Sequence, residues 1–223
     1  MPEPLFLHEH PYGPFIPENA TKLIIGTLPP PRFSTGELHE EDVDFCYGSR
    51  DGQLWRIIDR IFDLNLKFEN TPEAVAQRRA FLTRYNIGIC DVVASCERAK
   101  IDASDVGMQN VQLRDVVGCL KQHSSIQTLL FTGGNSKNGP EYFFRRHLRD
   151  YGLRLIPVSE ETPRIHRFIL DGRTITTVSL TAPSGSANRA VGSNPLYKAL
   201  KKENPSFTTV DFRIRQYEAF LKG

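Results

Sequence analysis

Four short apolar runs punctuate the chain, and each reads as a buried strand. They are residues 22–28 (KLIIGTL), 86–94 (NIGICDVVA), 127–132 (QTLLFT) and 174–181 (TITTVSLT). Runs of this length, rich in β-branched residues and flanked by Gly or Pro, fit strands covered on both faces. Between them the apolar positions recur at helical spacing. Gln53–Phe62 places Leu54, Trp55, Ile58, Ile61 and Phe62 on one side, and Val111–Leu120 does so with residues 113, 116, 117 and 120. Thr71-Pro72, Gly139-Pro140 and Asn194-Pro195 each read as the first positions of a helix, running towards Tyr85, Tyr151 and Glu203. A last amphipathic helix is expected over 209–221.

Alternation of strand and helix predicts a three-layer α/β/α domain spanning residues 1–223, around a mostly parallel four-stranded sheet. Asp171-Gly172, between RFIL and TITTV, predicts a tight hairpin and a short antiparallel edge strand. The acidic stretch Glu37–Asp44 reads as a solvated loop.

Composition narrows the function only a little. Hydrophobic residues make up 39%, enough for a core, and 28 basic against 26 acidic residues leave a net charge of +2. Any basic surface must therefore be local. Candidates are Arg145, Arg146 and Arg149; Arg164, His166 and Arg167; Arg189; and Lys198, Lys201 and Lys202. No apolar run approaches a membrane span, and the first nineteen residues, with five prolines, do not resemble a secretory leader. The cysteines, Cys46, Cys90, Cys96 and Cys119, lack C-x-x-C spacing, so neither metal nor cofactor is expected, and a cytoplasmic setting is.

In parallel sheets ligands sit beyond the carboxyl ends of the strands. Four segments should meet there: 26–33, 90–98, 131–139 and 180–190. Asp91 interrupts an apolar strand, where a carboxylate is costly without partners. Either it caps a neighbouring loop or it faces a ligand. FTGGNSKNGP lacks the dinucleotide and phosphate-loop spacings, and reads better as a strand-to-helix turn capped by Asn138 than as a phosphate cradle. Phe45 and Tyr47 precede a helix and suit either a core or a stacking platform.

Taken in order, GTLPPP, FCYGSRDGQLWRII, IGICDVVASCER, LLFTGG and APSGSANRA resemble the uracil-DNA glycosylase superfamily, nearest to its hypoxanthine/uracil branch. The last segment is also similar to that of the mismatch-specific enzymes. The resemblance covers roughly residues 22 to 200 and implies a monofunctional glycosylase that flips a deaminated base from DNA and hydrolyses its N-glycosidic bond, acting as a monomer. It implies that Gly26, Thr27, Leu28 and Pro29 pack against the base and hold the water, that Tyr47 or Phe45 stacks on the base, with Thr132 nearby, and that Asp91 reads the base edge. Ser184, Gly185 and Ser186 would approach phosphate, while Ala187, Asn188 and Arg189 would fill the gap left in the duplex. The bland alternative for this last segment is an ordinary turn with Arg189 in solvent.

The departures are specific. Leu28 and prolines stand where strongly active relatives carry Asp or Asn, Ala182 where many carry His, Gly52 and Thr132 where the branch carries Asn. Asp51 is the available substitute for orienting water. The missing groups also suit a second expectation, a weak or inactive relative that binds DNA or a nucleobase. A small-molecule enzyme on a similar sheet is a third.

Overall fold

The structure, a computed structural model, describes residues 4–223. In chain order its elements are β1 (Phe6–Glu9), β2 (Lys22–Gly26), α1 (Pro31–Thr35), α2 (Leu54–Phe62), α3 (Pro72–Arg84), β3 (Ile87–Asp91), β4 (Val93–Arg98), β5 (Gln109–Leu113), α4 (Val116–Gln122), β6 (Thr128–Phe131), α5 (Pro140–Asp150), β7 (Ile156–Ser159), β8 (Arg164–Leu170), β9 (Arg173–Ser179), α6 (Asn188–Ser193), α7 (Pro195–Glu203) and α8 (Thr209–Leu221). Among the described residues, no helix is long and apolar enough to cross a membrane.

The main sheet runs β3-β2-β6-β9-β8-β7. β3, β2, β6 and β9 are parallel, with Ile25 level with Cys90 on one side and Phe131 on the other. These are the four strands the apolar runs predict. The sheet is nevertheless six-stranded rather than four-stranded, because β8 and β7 extend it antiparallel beyond β9. The β8–β9 turn is the Asp171-Gly172 hairpin, with φ of 49° and 77° at its two residues. Positive φ at both positions is what a tight turn between twisted strands requires.

Strand side chains alternate between two cores. Leu23, Ile25, Leu129 and Phe131 face α4 and α5, packing with Val117, Phe143, Phe144 and Leu148. Ile24, Leu130 and Val178 face the other way, onto Trp55 and Ile58 of α2, Phe81 of α3 and Tyr217 of α8. The α/β/α layering follows from this alternation.

Three expectations need correcting. The 86–94 run is two strands, not one: β3 ends at Asp91, and β4 turns into a separate antiparallel sheet, β1-β4-β5. Val111–Leu120 is not one helix, for β5 takes residues 109–113 and α4 begins only after Asp115, whose carboxylate accepts from Gly118 N–H. The Glu37–Asp44 stretch is not wholly solvated. Asp42 is fully buried, gripped by both Nε and Nη2 of Arg32 and by the N–H groups of His39 and Arg50. These donors hold its carboxyl down at about 2 against the opposing effect of burial. The Thr71 and Asn194 caps form as the sequence implies, Thr71 accepting from Ala74 and Asn194 from Leu196 and Tyr197.

Candidate active site

The chain leaves β2 for β3 on one flank and returns to β6 on the other. Loops at the carboxyl ends of β2 and β6 therefore diverge, and a crevice opens where ligands of such sheets bind. Here it is a cleft of about 610 Å³. Its walls are the β2–α1 loop (Thr27–Pro30), Tyr47 and the 49–53 segment, Asp91, Ala103–Asp105, Thr132, and the turn formed by Ala182, Pro183, Ser184 and Ser186.

Asp91 forms the floor and is 5% exposed. Its Oδ1 accepts from Gly26 N–H at 3.0 Å and its Oδ2 from His10 Nε2 at 2.7 Å. Tyr12 N–H donates to His10 Nδ1 at 3.1 Å, which fixes the ring proton on Nε2, facing the carboxylate. Two donors thus compensate a carboxylate at the end of an apolar strand, and each oxygen retains a lone pair for a third. Asp91 both binds its neighbours and faces the cleft.

Tyr47 stands against the same floor with φ of 58°, a left-handed conformation that is uncommon for a bulky residue. Its Oη lies 2.9 Å from Thr132 Oγ1, which in turn is 3.3 Å from the Ile25 carbonyl. Burial and the nearby Asp91 push the phenol well above its ordinary range, so it stays neutral. Gly26 permits this approach, since a Cβ there would overlap Tyr47 Oη and lie 2.8 Å from Asp91 Oδ1. Phe45, the other aromatic candidate, does not line the cleft. It lies in the core against Tyr12, Phe15 and Trp55.

The 182–189 turn is stitched to the start of α2. Pro183 C=O accepts from Gln53 N–H at 2.9 Å, and Gly52 bridges to Ser184. Beneath it lies Arg213, fully buried, donating to the carbonyls of Ala182 (2.8 Å) and Ser184 (2.9 Å) and to Asn188 Oδ1 (2.9 Å). Ser184 and Ser186 line the cleft, with their hydroxyls 2.8 Å apart. Gly185 and Arg189 are exposed and Ala187 is half-buried. Asn188 turns its carbonyl oxygen inward, to Arg213 and to the Thr209 hydroxyl.

The remaining candidates are placed as follows. Thr27, Leu28, Pro29 and Thr132 line the cleft. Asp51 sits at its mouth with its side chain 73% exposed, 3.3 Å from Arg32 Nη2. Asn138 does not cap α5, whose N-cap is Gly139; instead its Nδ2 donates to the carbonyls of Asp105 and Met108. Arg145 and Arg164 are both tied to the fully buried Glu141, so neither is free cationic surface.

Three residues at or beneath the cleft escape a reading by sequence: His10, Asp105 and Arg213. Thr27 Oγ1 donates to Asp105 Oδ1 at 2.9 Å. Burial, assisted by the charge of Asp91, lifts this carboxyl to about 6 against the opposing effects of the Thr27 hydroxyl and Arg98. Arg98, itself buried, fixes the loop by donating to the Ser104 carbonyl at 2.6 Å.

No family model matches the chain, and no curated protein does. Among solved structures, the chain is similar to the solution NMR structure of a "putative uracil DNA glycosylase" from Methanosarcina acetivorans. The two share 16% identity over 98% of this chain and 100% of that one, with a TM-score of 0.57. The two chains share a fold. At this identity the likeness carries the fold, not residue roles.

Proposed function

We propose that the protein is a monofunctional DNA glycosylase that removes a deaminated base, uracil or hypoxanthine, in base excision repair. The observation that carries this reading is a convergence. The Gly26–Pro29 loop, Tyr47, Asp91 and the Ser184–Ser186 turn come from four distant stretches and line or border one cleft at the carboxyl edge of a parallel sheet. In this reading an everted base enters the cleft against Tyr47, and stacking of this kind is worth about 1–3 kcal/mol per base. Asp91 accepts the base's ring N–H. The small residues at 184–186 let a phosphate approach the backbone closely, and Ala187 and Arg189 reach into the vacated stack. Rate enhancement comes from fixed dipoles around a developing sugar cation and a departing base anion.

The polar groups missing at Leu28 and Ala182, and the exposure of Asp51, favour a second reading, a relative that binds altered DNA without turnover. One experiment separates them. Duplexes and single strands carrying uracil, hypoxanthine, xanthine or a mismatched thymine are incubated with excess protein and then treated with alkali. Strand scission at the altered base supports the glycosylase. Salt-sensitive binding without scission supports the second reading, and the absence of both removes DNA from the account.

A further inference from the structure

We infer that Asp105 is the catalytic residue that activates the attacking water, an inference that rests on the glycosylase reading above. The cleft holds three carboxylates besides backbone groups: Asp51, Asp91 and Asp105. Asp51 faces bulk solvent and Arg32. Asp91 has a donor on each oxygen, and one of them is a buried histidine. Asp105 differs from both. Its Oδ1 is held by the Thr27 hydroxyl, and its Oδ2 has no donor among the described residues. Its carbonyl is anchored by Asn138 and the preceding one by Arg98, so the carboxyl is presented into the cleft from a fixed backbone.

The position matters as much as the group. The loop after β2 carries no carboxylate of its own, only Thr27 among Leu28 and prolines. Through Thr27, the 99–108 loop delivers a carboxylate to that same place. The water oxygen would form its bond to the sugar C1′ as the C1′–N bond breaks, and the bonding pair leaves with the base. The water's proton passes to Asp105 Oδ2 and then to the departing base anion or to solvent. A base of this kind works best when its acidity lies near the operating pH, and Asp105 is raised to about 6. Burial sets this value first; of the groups facing the carboxyl, the Thr27 hydroxyl from the β2–α1 loop and Arg98 at the end of β4 lower it, and Asp91 at the end of β3, with His10 behind it, raises it.

The test uses the full chain and whichever altered base the panel shows to be released. Asp105→Asn keeps an oxygen for Thr27 but cannot take a proton. Its single-turnover rate is expected to fall about 10²-fold or more, while affinity for a duplex carrying a tetrahydrofuran abasic analogue stays within about threefold. The wild-type rate falls as pH drops below about 6, and this acid limb disappears in the variant. Thr27→Val leaves the carboxyl but removes its donor, so the limb moves to higher pH; this variant also serves if Asp105→Asn does not fold. A wild-type protein that releases no base overturns the glycosylase reading and this inference with it. An active wild type, with Asp105→Asn retaining its rate or Thr27→Val leaving the limb unmoved, overturns the inference alone.

Discussion

Gly26→Ala isolates the contact on which the cleft depends. Gly26 is not among the glycines with positive φ, so alanine meets no backbone penalty there. The whole effect must come from the added methyl. It would overlap Tyr47 Oη and sit 2.8 Å from both Tyr47 Cζ and Asp91 Oδ1, closer than real Cβ contacts. The side chain of Tyr47 has to move, and its hydroxyl leaves Thr132, now at 2.9 Å. Overpacking of this kind costs about 1–3 kcal/mol, and the lost hydrogen bond adds about 1 kcal/mol. For a chain of this size a loss of about 3 kcal/mol lowers the melting temperature by roughly 6–12 °C.

A double-mutant cycle makes the reasoning refutable. Tyr47→Phe removes the hydroxyl that the methyl strikes, leaving only the 2.8 Å contacts. Measured by urea denaturation, the double variant is expected to be less destabilised than the sum of the two single changes by about 1–2 kcal/mol. Base release should fall more steeply than stability in Gly26→Ala, because the displaced ring is the proposed stacking platform. Additive effects within about 0.5 kcal/mol would show that Gly26 does not hold Tyr47 against Asp91. A melting temperature within about 1 °C of wild type would say the same.

Other perturbations follow from the charged groups. The Asp105 carboxyl titrates higher in the fold than in the unfolded chain, so the folded state binds the extra proton between about 4 and 6, and stability falls as pH rises through that window. Asp105→Asn should therefore melt higher than wild type at pH 7.5, by about 1–2 kcal/mol equivalent, and show no such gain at pH 4; a lower melting temperature at pH 7.5 contradicts this. His8 behaves oppositely, since burial first and then Arg98 depress it to about 4. The unfolded chain takes up the proton first as pH falls below 6.5, so up to about 3 kcal/mol of stability is lost towards pH 4; His8→Asn should remove that part of the slope in denaturant titrations, and an unchanged slope would exclude His8 as its source. Arg213→Met leaves the Ala182 carbonyl without a donor and the Ser184 carbonyl with Ala187 N–H alone, and should cost about 2–3 kcal/mol. Limited proteolysis should then cut first within 182–189, and cleavage elsewhere first would mean that Arg213 does not hold the turn.

The parallel part of the sheet is legible because strands covered on both faces leave uninterrupted apolar runs. The Asp171-Gly172 hairpin and the Thr71 and Asn194 caps are legible because each rests on chemistry within a few residues. The second sheet is not. No Gly or Pro marks the break between Asp91 and Val93, and β1 finds its partner far along the chain, Phe6 lying opposite Arg98. Helical spacing misleads in the same region, where Leu113 belongs to β5 and only the residues from Val116 belong to α4. The site divides similarly. Tyr47, Asp91 and the 183–186 turn sit inside recognisable segments, whereas His10 and Arg213 act across 81 and 31 positions.

Local rules are broken in a particular place. Tyr47 adopts a left-handed backbone, Asp91 puts a carboxylate at the end of an apolar strand, and Asp105 keeps a carboxyl that burial disfavours. Arg213 buries a cation against carbonyl and amide oxygens rather than a carboxylate. Strain or desolvation of each kind costs on the order of 1–3 kcal/mol, and all four line the one cleft or hold its wall. Elsewhere Glu141 is matched by two arginines and Asp42 by one, and a comparable exception is Arg78, buried against the Lys67 and Ala74 carbonyls and the rings of Trp55 and Phe68. Packing alone gives no reason for such a concentration, because an apolar floor of similar volume would be the more stable solution. The proposed nucleobase pocket at the sheet edge does give one, because it needs polar groups held in fixed positions on its floor and behind its wall.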